Sequence, residues 1–282
     1  MANYYCLMAG LPDLSLDDCK AGPSVMDLKD ELDGVLTPAD KKLVYYFFLK
    51  YDCQNLVRLL KDPEAEIDPR GNFTAEQYTD LMTSARELNF NVHRYPSFMS
   101  IFVRNYKYNS EMSGFFAEDA MALDYYRYAM TCPNRILSEW FAFNLDVTNV
   151  LTALIARKYG WNVADYIQGD GEVCEMIRQN ANARDFDLTC EYDFMADVMR
   201  IAECADPVQK ERMADELKWQ WWEERTFMEP FSIEALVAYL AKREMTDRWA
   251  RLDVETGRAH FRQIIDNLRA EAQVPQEFAI NR

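Results

Sequence analysis

The chain has 282 residues, 49% of them hydrophobic, with a formal net charge of −16. Its 9 glycines and 10 prolines are few for that length, where average usage is about 7% and 5%, so long elements are expected and helices are favoured. The charge argues against a surface that grips nucleic acid, which needs clustered Lys and Arg, and no basic run exceeds doublets such as Lys41-Lys42.

The first residues, "MANYYCLMAGLPDL", lack a basic stretch, and Pro12 breaks their short apolar run, so they do not read as a secretory signal. The longest apolar candidate, "LVYYFFLKYD", is interrupted by Lys50 and Asp52, well short of the ~20 apolar residues that cross a bilayer. Cysteines stand at 6, 19, 53, 132, 174, 190 and 204 with no C-x-x-C pair. That pattern is expected of reduced thiols scattered through a cytoplasmic protein.

Thr37-Pro38-Ala39-Asp40 opens the first clear helix, with Thr as cap, Pro at the first helical position and an acid in the first turn. It runs through 43–51, apolar nearly all round and so expected to be deeply buried, with "QNLVRLL" a candidate extension. "DPEAEIDPRGN" follows as the clearest loop of the first third. Thr74 and Gln77 have the capping-box spacing and start another helix, bearing Met82, Leu88 and Phe90, before "HRYPSF" breaks the pattern.

A helix-rich stretch covers about 111–159, interrupted at Cys132-Pro133-Asn134 and ended by Gly160. In its second half Val147, Val150, Leu151, Leu154 and Ile155 recur at the spacing of a buried face. Beside them Asp146, Asn149, Ala153 and Arg157 form a polar stripe. Asn is a mediocre helix former, so Asn149 in an interior turn is expected to have a partner. Asp146 and Arg157 lie about 16 Å apart along the axis, too far to pair, so each is expected to bond to another segment. The stripe reads as a structural seam.

"QGDGE" and "NANARDFDL" are turn-rich interruptions, and Phe194, Met195, Val198, Met199 and Ala202 form the next helical face. "ADELKWQWWEERTF" brings Trp219, Trp221 and Trp222 together. A core-plus-interface role fits them better than a ligand-stacking box, and they are the candidate partner interface. Ser232 caps a helix that buries Ile233, Leu236, Val237 and Leu240, and "FRQIIDNL" reads as a last helix before a loose tail from Pro275. No period-2 strand stands out. The expected fold class is all-α.

Catalytic signatures are missing. Only His93 and His260 are available for histidine chemistry, and no H-E-x-x-H, EF-hand loop, phosphate loop or G-x-G-x-x-G occurs. Paired carboxylates are expected by chance among 47 acids. No catalytic residue, metal, cofactor or nucleotide is therefore expected.

Two segments carry a resemblance. "FNLDVTNVLTALIARKYGWNVADYIQGDGEV" (143–173) resembles the signature of the C-type rotor component of V/A-type rotary ATPases, known as the d-type component in eukaryotes. There a helix carries Asp, then Asn three residues later, then a basic residue, followed by a short Gly-containing loop. Asp146, Asn149, Arg157 and Gly160 stand at the matching positions. "FSIEALVAYLAKREMTDRW" (231–249) resembles the family's late helix, whose Lys/Arg-Glu pair is Arg243 and Glu244 here. The chain as a whole resembles a bacterial branch that begins "NYY…LPDLSLDD" and travels with V-type ATPase subunits.

The resemblance implies an all-α funnel of three similar helical bundles around a pseudo-threefold axis, with sub-bundles near 1–110, 111–205 and 206–282. It also implies a non-catalytic central-stalk protein on the cytoplasmic face of the inner membrane. Such a protein couples the shaft subunits to the membrane rotor ring for proton or sodium transport. The chain departs from the archetype in its first third and its many aromatics. Two other readings stay open: a helical scaffold for a different protein partner, and a small-molecule enzyme with a Trp-rich pocket.

Overall fold

Local capping chemistry sets most of the helix starts. The computed structural model describes residues 4–17, 22–85, 94–108 and 117–251. His93, His260, Leu88, Phe90, the "FRQIIDNL" segment and the tail after Pro275 lie outside the described residues. The described residues form eleven α-helices and one short 3-10 turn, with no strand among them. The chain is all-helical, as its patterning indicates.

Ser24 opens α2 (Val25–Val35) with a capping box closed by Asp27, after the short α1 (Tyr5–Gly10). Thr37 caps α3 (Pro38–Lys61) by accepting from the Asp40 amide at 3.2 Å. Thr74 and Gln77 form the expected reciprocal box on α4 (Ala75–Ser84). Each cap satisfies amides that the first helical turn leaves without partners. Then come α5 (Ser97–Tyr108), α6 (Ala117–Ala129) and α7 (Arg135–Lys158). Asn134 caps α7, its side chain accepting from Leu137 N at 3.1 Å.

A 3-10 turn (Val163–Asp165), α8 (Glu172–Gln179) and α9 (Met195–Glu203) follow in shorter pieces. The chain closes with α10 (Pro207–Thr226), capped by Asp206, and α11 (Ile233–Arg251), where Ser232 Oγ accepts from Ala235 N.

Packing of neighbours runs in a circuit: α3 on α6, α6 on α7, α7 on α9, α9 on α10, α10 on α11, and α11 back on α3 and α2. The core is one continuous apolar cluster. Helix α3 is buried on most sides, with Phe47, Phe48, Leu49, Leu56 and Val57 all inside. Two polar residues are buried with them. Asp52 Oδ1 accepts from the amides of Asn72 and Phe73 and from Tyr78 Oη, at 2.6, 2.9 and 2.7 Å. Asn55 reads both the amide and the carbonyl of Asp68. Together they fold the "DPRGN" loop onto α3. A Cβ at Gly71 would stand 2.7 Å from Asp52 Oδ1, so the approach requires glycine.

Candidate functional site

Helix α7 is the spine of the C-terminal half, and its polar stripe holds loops rather than a second helix. The Asn149 amide pairs twice with the backbone of Gln168: Nδ2 donates to the carbonyl and Oδ1 accepts from the amide, both at 2.8 Å. Cys174 Sγ closes the cluster, 3.2 Å from Asn149 Nδ2 and donating to Gln168 O at 3.1 Å. One buried side chain therefore replaces the strand or helix neighbour that the backbone before "GDGE" lacks.

Two turns on, Arg157 donates to the carbonyls of Ala183 and Arg184, and its guanidinium lies 4.7 Å from the Phe186 ring. Phe186 and Asp187 both have positive φ, 55° and 59°, a conformation that is costly for residues with side chains. Phe186 is fully buried, and the Arg157 bonds hold the turn in which it sits.

Asp146 does otherwise. The expectation that it bonds to another segment fails: among the described residues it makes no hydrogen bond and no ion pair. It lines a cleft of about 460 Å³ between α7, α10 and the segment before α9. That wall carries six acids against the single cation Arg225, with Ala142, Phe143, Phe194, Leu217 and Trp221 as its apolar part. No cation comes to Asp146, and burial pushes its pKa up to about 6.

Gly160 ends α7 as expected, and the structure gives the reason. Its φ is +71°; its amide bonds to Arg157 O at 3.1 Å, and the Trp161 amide reaches back to Ala156 O at 2.9 Å. This pair of bonds is the Schellman stop, which requires a left-handed residue. The turn throws three rings onto the surface. Tyr159 stacks on Trp161 and Trp161 on Tyr166, with centroids 5.3 and 5.2 Å apart and planes 26° apart in each pair. They are 64%, 50% and 42% exposed. A solvent-facing ladder of three large rings is a costly surface for a monomer and the residue type that anchors interfaces.

Nothing in the sequence pattern singled out these rings. Their signal was local: aromatics at 159, 161 and 166 following a helix-stop glycine.

The tryptophans of α10 correct the interface expectation. Trp222 is fully buried and Trp221 nearly so. Both pack on Trp140 of α7, at 4.8 and 5.2 Å, and Phe143 stacks on Trp221 at 5.4 Å. They are core anchors between α7 and α10, and no face of Trp222 is free for a partner. Trp219 is half-buried, donates to Glu223 at 2.7 Å and carries Lys242 over its ring.

Arg243 and Glu244 also turn inward. Arg243 pairs with Asp247 at 2.5 Å, and Asp247 accepts from the Val25 amide at the start of α2 at 3.1 Å. Glu244 binds Lys50 and Tyr51 of α3. The two residues lock α11 onto the N-terminal helices. Of the sequence candidates, then, Asn149, Arg157 and Gly160 build one loop scaffold around α7. Arg243 and Glu244 form a separate lock on α11.

No curated protein and no solved structure matches the chain. A family model described as "Protein of unknown function (DUF2764)" matches residues 1–272, and the chain belongs to that family.

Proposed function

We propose that the protein is a non-catalytic rotor adaptor. It would join the central shaft subunits of a V/A-type ATPase to the membrane rotor ring on the cytoplasmic face of the inner membrane. The resemblance of 143–173 and 231–249 to the C-type rotor component supports this reading. So does the all-helical build, in which no described helix is long and apolar enough to cross a membrane. The arrangement of three bundles around a pseudo-threefold axis belongs to the same proposal.

The observation that carries it is the exposed stack of Tyr159, Trp161 and Tyr166 at the end of the signature helix. Those rings are fixed by the Gly160 stop and backed by the Asn149 and Arg157 loops, so they are presented without the entropy cost of ordering on binding. Central aromatic anchors of this kind carry most of an interface's energy.

Trp161→Ala removes a half-exposed ring and is expected to change folding stability by under about 0.5 kcal/mol. It should weaken co-purification of the shaft and ring proteins by about 30-fold or more. Deletion of the gene should uncouple ATP hydrolysis from ion transport. Intact coupled transport in the deletion strain would refute the rotor assignment, and unchanged co-purification of the Trp161→Ala variant would remove the ladder from it.

A further inference from the structure

A second concave feature lies on the circuit itself, where α3, α6, α7, α10 and α11 face one another around a cavity of about 510 Å³. Its wall carries the cations Lys50, Arg70, Lys218, Arg248 and Arg251 against the acids Asp215, Glu244 and Asp247. In a chain of net charge −16 that balance is inverted. Every one of the three acids is already committed. Glu244 holds Lys50 and Tyr51. Asp215 holds Arg248 and accepts from Trp249 Nε1 at 2.7 Å. Asp247 holds Arg243 and the Val25 amide. Arg70 is paired on Asp68 and donates to Tyr51 Oη at 3.0 Å. Lys218 and Arg251 are the cations left over: among the described residues neither has an ion pair or a hydrogen bond, but Arg251 is exposed to solvent whereas Lys218 is partly buried.

An ammonium held among protein groups without an ion pair or hydrogen bond of its own is expensive, and the cost falls when an anion enters. Burial pushes the Lys218 pKa down, as do Arg248 and Lys50, while Asp215 and Glu211 pull it back up. Phe47, Trp140 and Tyr125 give the remaining wall an aromatic part, beside Gln54, Asn144, Ala241 and Met245. A cavity of this size suits a small organic molecule rather than a bare ion.

We propose that this cavity binds a small organic oxyanion, its phosphate or carboxylate paired with Lys218 and its planar or apolar body against Trp140 and Phe47. The proposal is independent of the rotor reading, since it concerns the inside of the helical circuit and not the aromatic ladder.

The test uses the full chain and three probes: phenyl phosphate, phthalate and inorganic phosphate. Phenyl phosphate or phthalate should raise the melting temperature and give measurable heat on titration, and whichever binds tighter identifies the charged group. Inorganic phosphate should bind about tenfold more weakly than the better aryl probe, because it buries no ring. Lys218→Met keeps the stem of the side chain to within one atom and removes its charge. It should bind the better probe about tenfold more weakly, while Lys158→Met, at an exposed lysine of α7, should bind it like the parent.

A second readout needs no variant. The better probe should slow acetylation of Lys218 in the parent protein, followed by peptide mass spectrometry, and leave Lys158 unaffected. No heat and no protection of Lys218 with either aryl probe at about 10 mM, a concentration that detects even millimolar binding, would overturn the site. So would equal affinity of the parent and the Lys218→Met protein.

Discussion

Asp146 is a charge whose surroundings do not match it, and the sign of its effect on stability follows. Burial raises its pKa from the ordinary carboxylate value to about 6. Below pH 4 both folded and unfolded chains hold the proton and the site costs little. As pH rises from about 4 to 6 the folded state resists losing it, so this group's contribution to stability falls across that window and stays low above it. Asp146→Asn should therefore be more stable than the parent at pH 7.5 by about 2 kcal/mol, an amount that allows for the partial exposure of the site, with the difference vanishing near pH 4. Urea melts of the two proteins at both pH values check this. A less stable variant at pH 7.5 would mean that a donor holds the carboxylate. The charge of Asp146 was legible in the sequence, but its lack of a partner was not, because that depends on which loop folds across it.

At the scale of elements, α7 owes its role to two side chains that face away from its apolar stripe. Asn149 and Arg157 each take up backbone groups of a loop with no regular neighbour. Asn149→Ala would leave the Gln168 amide and carbonyl without their partner, at an expected cost of about 2–3 kcal/mol. The loss should be local first. Amide exchange should rise through 163–179, while α3, which packs on α6 and α11, keeps its protection. Equal acceleration in all helices would show that the loop is not a separate unit. The need of Asn149 for a partner was readable from its place in a helix interior. That the partner is a loop carbonyl and amide 19 residues on had no periodic signal.

For the whole molecule, the net charge of −16 sets a long-range field. Such a field speeds the approach of a basic partner surface and weakens with salt. Under the rotor proposal, the association rate with the isolated shaft proteins should fall by about tenfold between 50 and 500 mM salt, with the dissociation rate nearly unchanged. Surface plasmon resonance at the two ionic strengths measures both. A salt-independent association rate would place the acidic surface away from the partner.

The sequence by itself determined the helical class and several helix boundaries. The reason is that caps, stops and 3.6-residue periodicity act within a few residues: Thr37, Thr74, Asn134, Gly160 and Ser232 all do locally what their chemistry dictates. It also determined that Asn149 and Arg157 would be engaged. Only the tertiary structure decided which charges meet. Lys50 and Glu244 pair across 194 residues and Val25 and Asp247 across 222, separations at which no local pattern distinguishes a lock from a solvated charge. The same holds for the tryptophans. Their spacing on α10 could not say that Trp140 of α7 would cover Trp221 and Trp222. That burial was settled when the circuit of helices closed, and the cavity and its unmatched lysine came with it.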